Sequence, residues 1–173
     1  MYTILSKQVK ILIGVPGSGK STYANQFKDI KEIKIISSDK IREELTDGRP
    51  TYSREENFQV FEKVKLEYLN NLIDSRIRII FIDATNINFH FRKIYKELAK
   101  TYKYENIEIE CIYFNTSLAI CKERIDIRAK NGGLYVPQNI LEKYYNAQHQ
   151  QKNFPKIGID CDKYSVLSNY MLY

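Results

Sequence analysis

The sequence predicts an α/β sandwich of three layers, with helices on both faces of a central parallel sheet. Two observations carry that expectation. Short apolar runs alternate with segments of helical period along the 173 residues, and the first run leads directly into a glycine-rich turn. Parallel strands need crossover connections, and alternating strand and helix segments supply them. No repeat, low-complexity tract or Pro/Gly-rich linker divides the chain, so residues 1–173 are expected to form a single domain around one core.

Residues 9–13 form an apolar run ending at Gly14, the pattern of a buried parallel strand. A helix is expected to start within residues 19–21 and to continue through Phe27. Residues 33–36 are a second strand, and after Ser37-Ser38 a short helix begins near Asp39. Asp47-Gly48-Arg49-Pro50 stops it. Ser53-Arg54-Glu55-Glu56 has capping-box spacing, and the helix behind it carries Phe61, Val64, Tyr68 and Leu72 as a core stripe. Residues 77–82 make the third strand. Asn88 caps a helix whose stripe is Phe91, Ile94, Leu98 and Tyr102. In the fourth strand, residues 107–114, Glu108 and Glu110 alternate with apolar residues, so its first half is expected to be only partly covered. Thr116 or Ser117 caps a helix reaching about Arg128. A loop with glycines spans residues 129–136, Pro137 suits the first turn of a helix ending near Gln150, and residues 163–167 are the last strand.

Hydrophobic residues make up 43% of the chain and charged residues 28%, which fits a globular protein rather than a disordered one. Apolar runs such as residues 79–82 are too short to cross a bilayer, and no membrane partner is expected. The start, Met1-Tyr2-Thr3-Ile4-Leu5-Ser6-Lys7, lacks the features of a secretion signal. Cys111, Cys121 and Cys161 are odd in number and widely spaced. They are expected to be buried, reduced thiols of a cytoplasmic protein, not a zinc site or a disulfide framework. A net charge of +6 and a pI near 9.1 favour an anionic partner, nucleotide or nucleic acid. His90 and His149 have no carboxylate at a telling spacing and are expected at the surface. Some of the 14 tyrosines could stack on bases, although Tyr144-Tyr145 is as well explained by packing.

Gly14-Val15-Pro16-Gly17-Ser18-Gly19-Lys20-Ser21 fits the Walker A pattern, and it stands between an expected strand and an expected helix. Glycines let the loop turn and point backbone N–H groups at phosphate oxygens. Lys20 reaches the β- and γ-phosphates and the Ser21 hydroxyl ligates Mg²⁺. ATP and Mg²⁺ are therefore the expected cofactors, and Thr22 completes the nucleotide set. The loop identifies the donor and leaves the acceptor to other segments.

Three such segments follow in order. Ser38-Asp39-Lys40-Ile41-Arg42 stands at the C-terminal end of the second strand, where open α/β sheets bind ligands, which points Asp39 at the γ-phosphate of bound ATP. A carboxylate there can take the proton of an attacking hydroxyl, or it can cap the helix it precedes. Ile79-Ile80-Phe81-Ile82-Asp83 looks like a metal-holding strand, followed by Ala84-Thr85-Asn86. Asp83 is left between metal, acceptor and a loop-ordering role, and Thr85-Asn86 equally suits a turn and helix start. Arg124 and Arg128 are four apart and share a helix face; the glycines after them, in Asn131-Gly132-Gly133, permit a flexible lid over about residues 124–137.

Together with the Walker loop, these segments resemble the 5′-hydroxyl polynucleotide kinases of phage and bacterial end-healing enzymes, over roughly residues 9–145. The resemblance implies a general base at Asp39, with Arg42 on the acceptor phosphate one nucleotide in from the 5′ end. It also implies Arg124 and Arg128 on the ATP triphosphate, and RNA or DNA with a 5′-OH end as the acceptor. No phosphatase or ligase activity is expected within 173 residues. Two other functions fit the same loop: a small-molecule kinase acting on a sugar, antibiotic, nucleotide or aminoacyl group, and a non-kinase ATPase module.

Overall fold

The computed structural model describes residues 6–49, 53–104 and 106–169. Each expected strand is present: β1 (Lys7–Ile13), β2 (Ile33–Ser37), β3 (Ile79–Asp83), β4 (Ile107–Asn115) and β5 (Lys163–Ser168). All neighbours pair parallel in the order β2-β3-β1-β4-β5. The helices are α1 (Lys20–Asn25), α2 (Ser38–Thr46), α3 (Arg54–Ile73), α4 (Phe89–Thr101), α5 (Leu118–Lys130) and α6 (Gln138–Gln148). Residues 1–5 and Pro50, named above, lie outside the described residues. Among those described, no helix is long and apolar enough to cross a membrane.

Alternation along the strands separates the two faces. Val9, Ile11, Ile13, Ile80, Ile82, Ile109 and Cys111 pack under Val60, Val64 and Tyr68 of α3 and Tyr95 and Ala99 of α4. Leu12, Phe81, Ile112 and Phe114 point the other way, against Tyr23, Ala24 and Phe27. That second face is short of cover toward the strand starts, as the alternation in β4 predicts. There the Lys10 ammonium meets the Glu110 carboxylate at 2.7 Å across paired strands, and the Ser165 hydroxyl donates to the same carboxylate at 3.1 Å.

Local signals hold at the helix starts. The Ser53 hydroxyl accepts from the Glu56 amide at 3.1 Å while the Glu56 carboxylate accepts from the Ser53 amide at 2.7 Å, a complete capping box. Asn88 caps α4, and Ser117 rather than Thr116 caps α5. Cys111, Cys121 and Cys161 are buried free thiols.

The helix stripes need correction. On α3 the core position is Val60, fully buried, while Phe61 is only partly buried. On α4 the inner face is Arg92, Tyr95 and Ala99, and the expected Phe91 and Tyr102 are exposed. A charged residue took the inward place because its partners are complete. Arg92 is fully buried, its Nε donates to Asp160 Oδ2 at 2.7 Å, and its Nη1 donates to the Asn86 and Ile87 carbonyls at 2.8 and 2.7 Å. Nη2 donates to the Asn153 carbonyl at 2.8 Å and also meets Asp160 Oδ2 at 2.7 Å. Asp160 in turn accepts from the Lys156 amide at 2.6 Å. This pair ties the loop after β3 to the segment before β5. Asp160→Ala strands a buried guanidinium, and the expected loss is about 3–5 kcal/mol, read as a lower urea midpoint at unchanged slope.

Candidate active site

The glycine-rich loop follows β1, the central strand, and side chains from distant elements brace it from behind. Gln148 at the end of α6 is buried; its Oε1 accepts from the Val15 amide at 2.9 Å and its Nε2 donates to the Phe114 carbonyl at 3.0 Å. The Thr116 hydroxyl donates to the Ser18 carbonyl at 2.9 Å, and the Gly14 amide donates to the Thr85 carbonyl at 3.1 Å. Gly17 sits at φ +80°, and a Cβ there would come within 2.6 Å of the Cys121 carbonyl of α5. Neither requirement admits a larger residue. Gly14, Val15 and Ser18 are buried.

Pro16, Gly17, Gly19, Lys20, Ser21 and Thr22 line a cleft of about 850 Å³. Lys20 is 7% exposed, and its Nζ donates to the Val15 carbonyl at 2.9 Å and to Ser18 Oγ at 3.3 Å. Burial lowers its pKa, and the Asp83 and Asp39 carboxylates pull against that shift. Asp83 ends β3 beside Leu12 of β1 and lines the same cleft. Burial pushes its pKa up, while the Lys20 ammonium and a hydrogen bond with the Ser21 side chain pull it down. Asp83 therefore stands against Ser21 and Lys20. The following Asn86 is built into the scaffold: its Nδ2 donates to the Leu12 carbonyl at 2.8 Å and the Ile82 carbonyl at 3.1 Å, stitching β3 to β1.

The raised pKa of Asp83 has a stability consequence. A carboxyl whose folded pKa exceeds the unfolded value contributes stability below the unfolded pKa, near 4, and loses it as pH rises through the folded pKa. Asp83→Asn removes that penalty. In the absence of nucleotide and metal the variant is expected to melt higher than the parent at pH 7, and the gain should vanish below about pH 4. Thermal melts across this pH range read it directly.

Ser37 caps α2, accepting from the Lys40 amide at 3.5 Å, so Asp39 is not the cap. The Asp39 side chain is 67% exposed in the cleft. Arg42, one turn on, donates from Nη1 to Asp39 Oδ1 at 2.5 Å and from Nη2 to Asn57 Oδ1 of α3 at 3.3 Å. From the other side of the loop, Arg124 Nη1 donates to the Gly17 carbonyl at 3.2 Å. Arg128 lines the cleft with Nε and Nη2 buried and with no hydrogen-bond partner among the described residues. Buried unmet donors are costly, and an anion in the cleft could satisfy them.

The glycines after Arg128 also end α5. Gly132, at φ +80°, closes α5 in a Schellman motif, with the Gly133 amide on the Arg128 carbonyl at 2.9 Å and the Gly132 amide on the Ala129 carbonyl at 3.1 Å. A Cβ on Gly133 would fall 2.5 Å from Arg128 Cγ, so this turn also sets where the guanidinium lies.

Lys20, Ser21, Thr22, Asp39, Arg42, Asp83, Arg124 and Arg128 thus meet in one cleft. Gln148 and Asn57 carried no sequence signal for their part in it.

A family model described as an AAA domain matches residues 9–152. Among solved structures, a chain of the Pnkp1/Rnl/Hen1 RNA repair complex aligns with a TM-score of 0.69 at 24% identity, covering 87% of this chain and 46% of that one. The present chain thus spans about half that relative's length. A protein from Chloroflexus aurantiacus J-10-fl, described as a candidate kinase, aligns with a TM-score of 0.70 at 13% identity, covering 94% and 88% of the two chains. A gluconokinase from Sinorhizobium meliloti 1021 gives 0.59 at 12% identity, with 99% and 86% covered. No curated protein matches the sequence. At these identities the likeness is one of fold, a P-loop kinase-like sandwich.

Proposed function

We propose that this chain, which belongs to the AAA domain family, is a kinase that transfers the γ-phosphate of ATP to the 5′-hydroxyl of RNA or DNA. The observation that carries the proposal is the Asp39–Arg42 pair. A carboxylate and a guanidinium one helical turn apart stand in the cleft that also holds Lys20, Ser21 and Arg128. The fold it shares with a chain of an RNA repair complex supports the same reading.

The Ser21 hydroxyl and the Asp83 carboxylate are adjacent hard oxygen donors, which suits Mg²⁺. That ion would offset charge on the phosphates. Lys20 would hold the β- and γ-phosphates, and Arg124 and Arg128 would oppose the charge that spreads over the γ-phosphoryl oxygens. Arg42 would bind the phosphodiester of the acceptor. Its fork now holds Asp39, so engaging a phosphate releases that carboxylate toward the 5′-hydroxyl. Asp39 then takes the hydroxyl proton as the new O–P bond forms and the β–γ bridge breaks, leaving ADP. Three buried free thiols suit a cytoplasmic setting.

The discriminating experiment compares a nucleoside 3′-monophosphate with the plain nucleoside as acceptors. The monophosphate should be preferred, and Arg42→Ala should shrink the preference by roughly ten- to a hundredfold in kcat/KM, the value of one charge-assisted bond. Equal use of both acceptors, unchanged by Arg42→Ala, would instead support a small-molecule kinase.

A further inference from the structure

We infer that the outer end of the cleft is a stacking site for the nucleobase at the 5′ end of the acceptor, built on Phe61. The inference rests on the polynucleotide reading and names a subsite within it. Topology gives the starting point. β2 lies on one side of β1 and β4 on the other. Helices α2 and α3, which follow β2, therefore flank the loop on one side, and α5 and α6, which follow β4, flank it on the other. Asp39 and Arg42 stand on the first flank, so the acceptor approaches from there.

Asn57 accepts from Arg42, and Phe61 lies four residues further along α3, on the same helix face, also lining the cleft. A helical turn is about 5.4 Å, within reach of a base from the phosphodiester of its own nucleotide. The Phe61 ring lies parallel to Phe91 of α4, with centroids 6.3 Å apart and 6° between the planes. This packing holds the plane of the Phe61 ring where it lines the cleft. On the other flank Tyr135, Ile140 and Tyr144 line the same cleft while remaining 52%, 37% and 40% exposed.

Aromatic and aliphatic surface left open around a cationic floor marks a ligand site rather than a solvated one. The occupant of this flank must pair an anion, for Arg42, with a planar apolar face. An open-chain polyol brings hydroxyls and leaves the rings against water. A nucleotide brings both features at the required separation, and stacking accepts any base.

The test uses the full chain, γ-labelled ATP and two 5′-OH oligonucleotides that differ only in having a base or an abasic site at the 5′ nucleotide. The base-bearing acceptor should be preferred by roughly five- to a hundredfold in kcat/KM. Phe61→Leu keeps apolar volume and should bring that ratio close to one, whereas Phe61→Tyr keeps the π-face and should preserve it. Phe91→Leu, which frees the Phe61 ring from outside the cleft, should lower it as well. Equal use of both oligonucleotides by the parent chain, or an undiminished ratio in a folded Phe61→Leu protein, overturns the stacking site while leaving the polynucleotide reading intact. If neither oligonucleotide takes label, the polynucleotide reading itself fails and the subsite with it.

Discussion

Lys20→Ala is expected to lower phosphate transfer by about a thousandfold or more. The ammonium is nearly enclosed, 7% exposed, with the Asp83 and Asp39 carboxylates close enough to act on it. A charge held in so dry a place acts on phosphate oxygens with little solvent screening. Alanine also leaves the Asp83 carboxylate without its nearest opposing charge, so the urea midpoint must be measured beside the rate. A folded variant with near-normal turnover would sink the assignment of the loop as the donor site.

Asp39→Asn is expected to lower kcat by roughly a hundredfold to ten-thousandfold with little change in ATP affinity. Two features make this substitution clean. Ser37 caps α2, so asparagine at position 39 disturbs no cap. The ion pair with Arg42 that disappears is largely exposed on the carboxylate side, and such pairs contribute about 0–1 kcal/mol. Stability should therefore hold while turnover falls. A normal rate accompanied by a lower melting temperature would reduce Asp39 to a structural residue.

Much of the fold was legible because it is written locally. The run before Gly14, the Ser53–Glu56 capping box, Asn88 and the Glu108/Glu110 alternation each act over a few residues, and each appears in the structure where the sequence places it. The α4 stripe was misread for the converse reason. Arg92 turns inward only because Asp160 meets it from 68 positions away, and periodicity weighs a charged residue as outward. Gln148 reaches back 133 positions to brace Val15, an arrangement no local pattern encodes. Within the site, the Walker spacing foretold the loop, whereas the ion pair of Asp39 with Arg42 had no expectation behind it. That Ser37 rather than Asp39 caps α2, and that Gly132 closes α5, depended on backbone geometry that many sequences share.

The most direct measurement of the central claim is label transfer from γ-labelled ATP in Mg²⁺, with a 5′-OH oligonucleotide and a panel of sugars, sugar acids and nucleosides offered in parallel. The account predicts label at the 5′ end of the oligonucleotide, removable by a phosphatase, with activity falling as salt rises through counterion release from the acceptor backbone. Label appearing on a small metabolite, with none on the oligonucleotide, would contradict it.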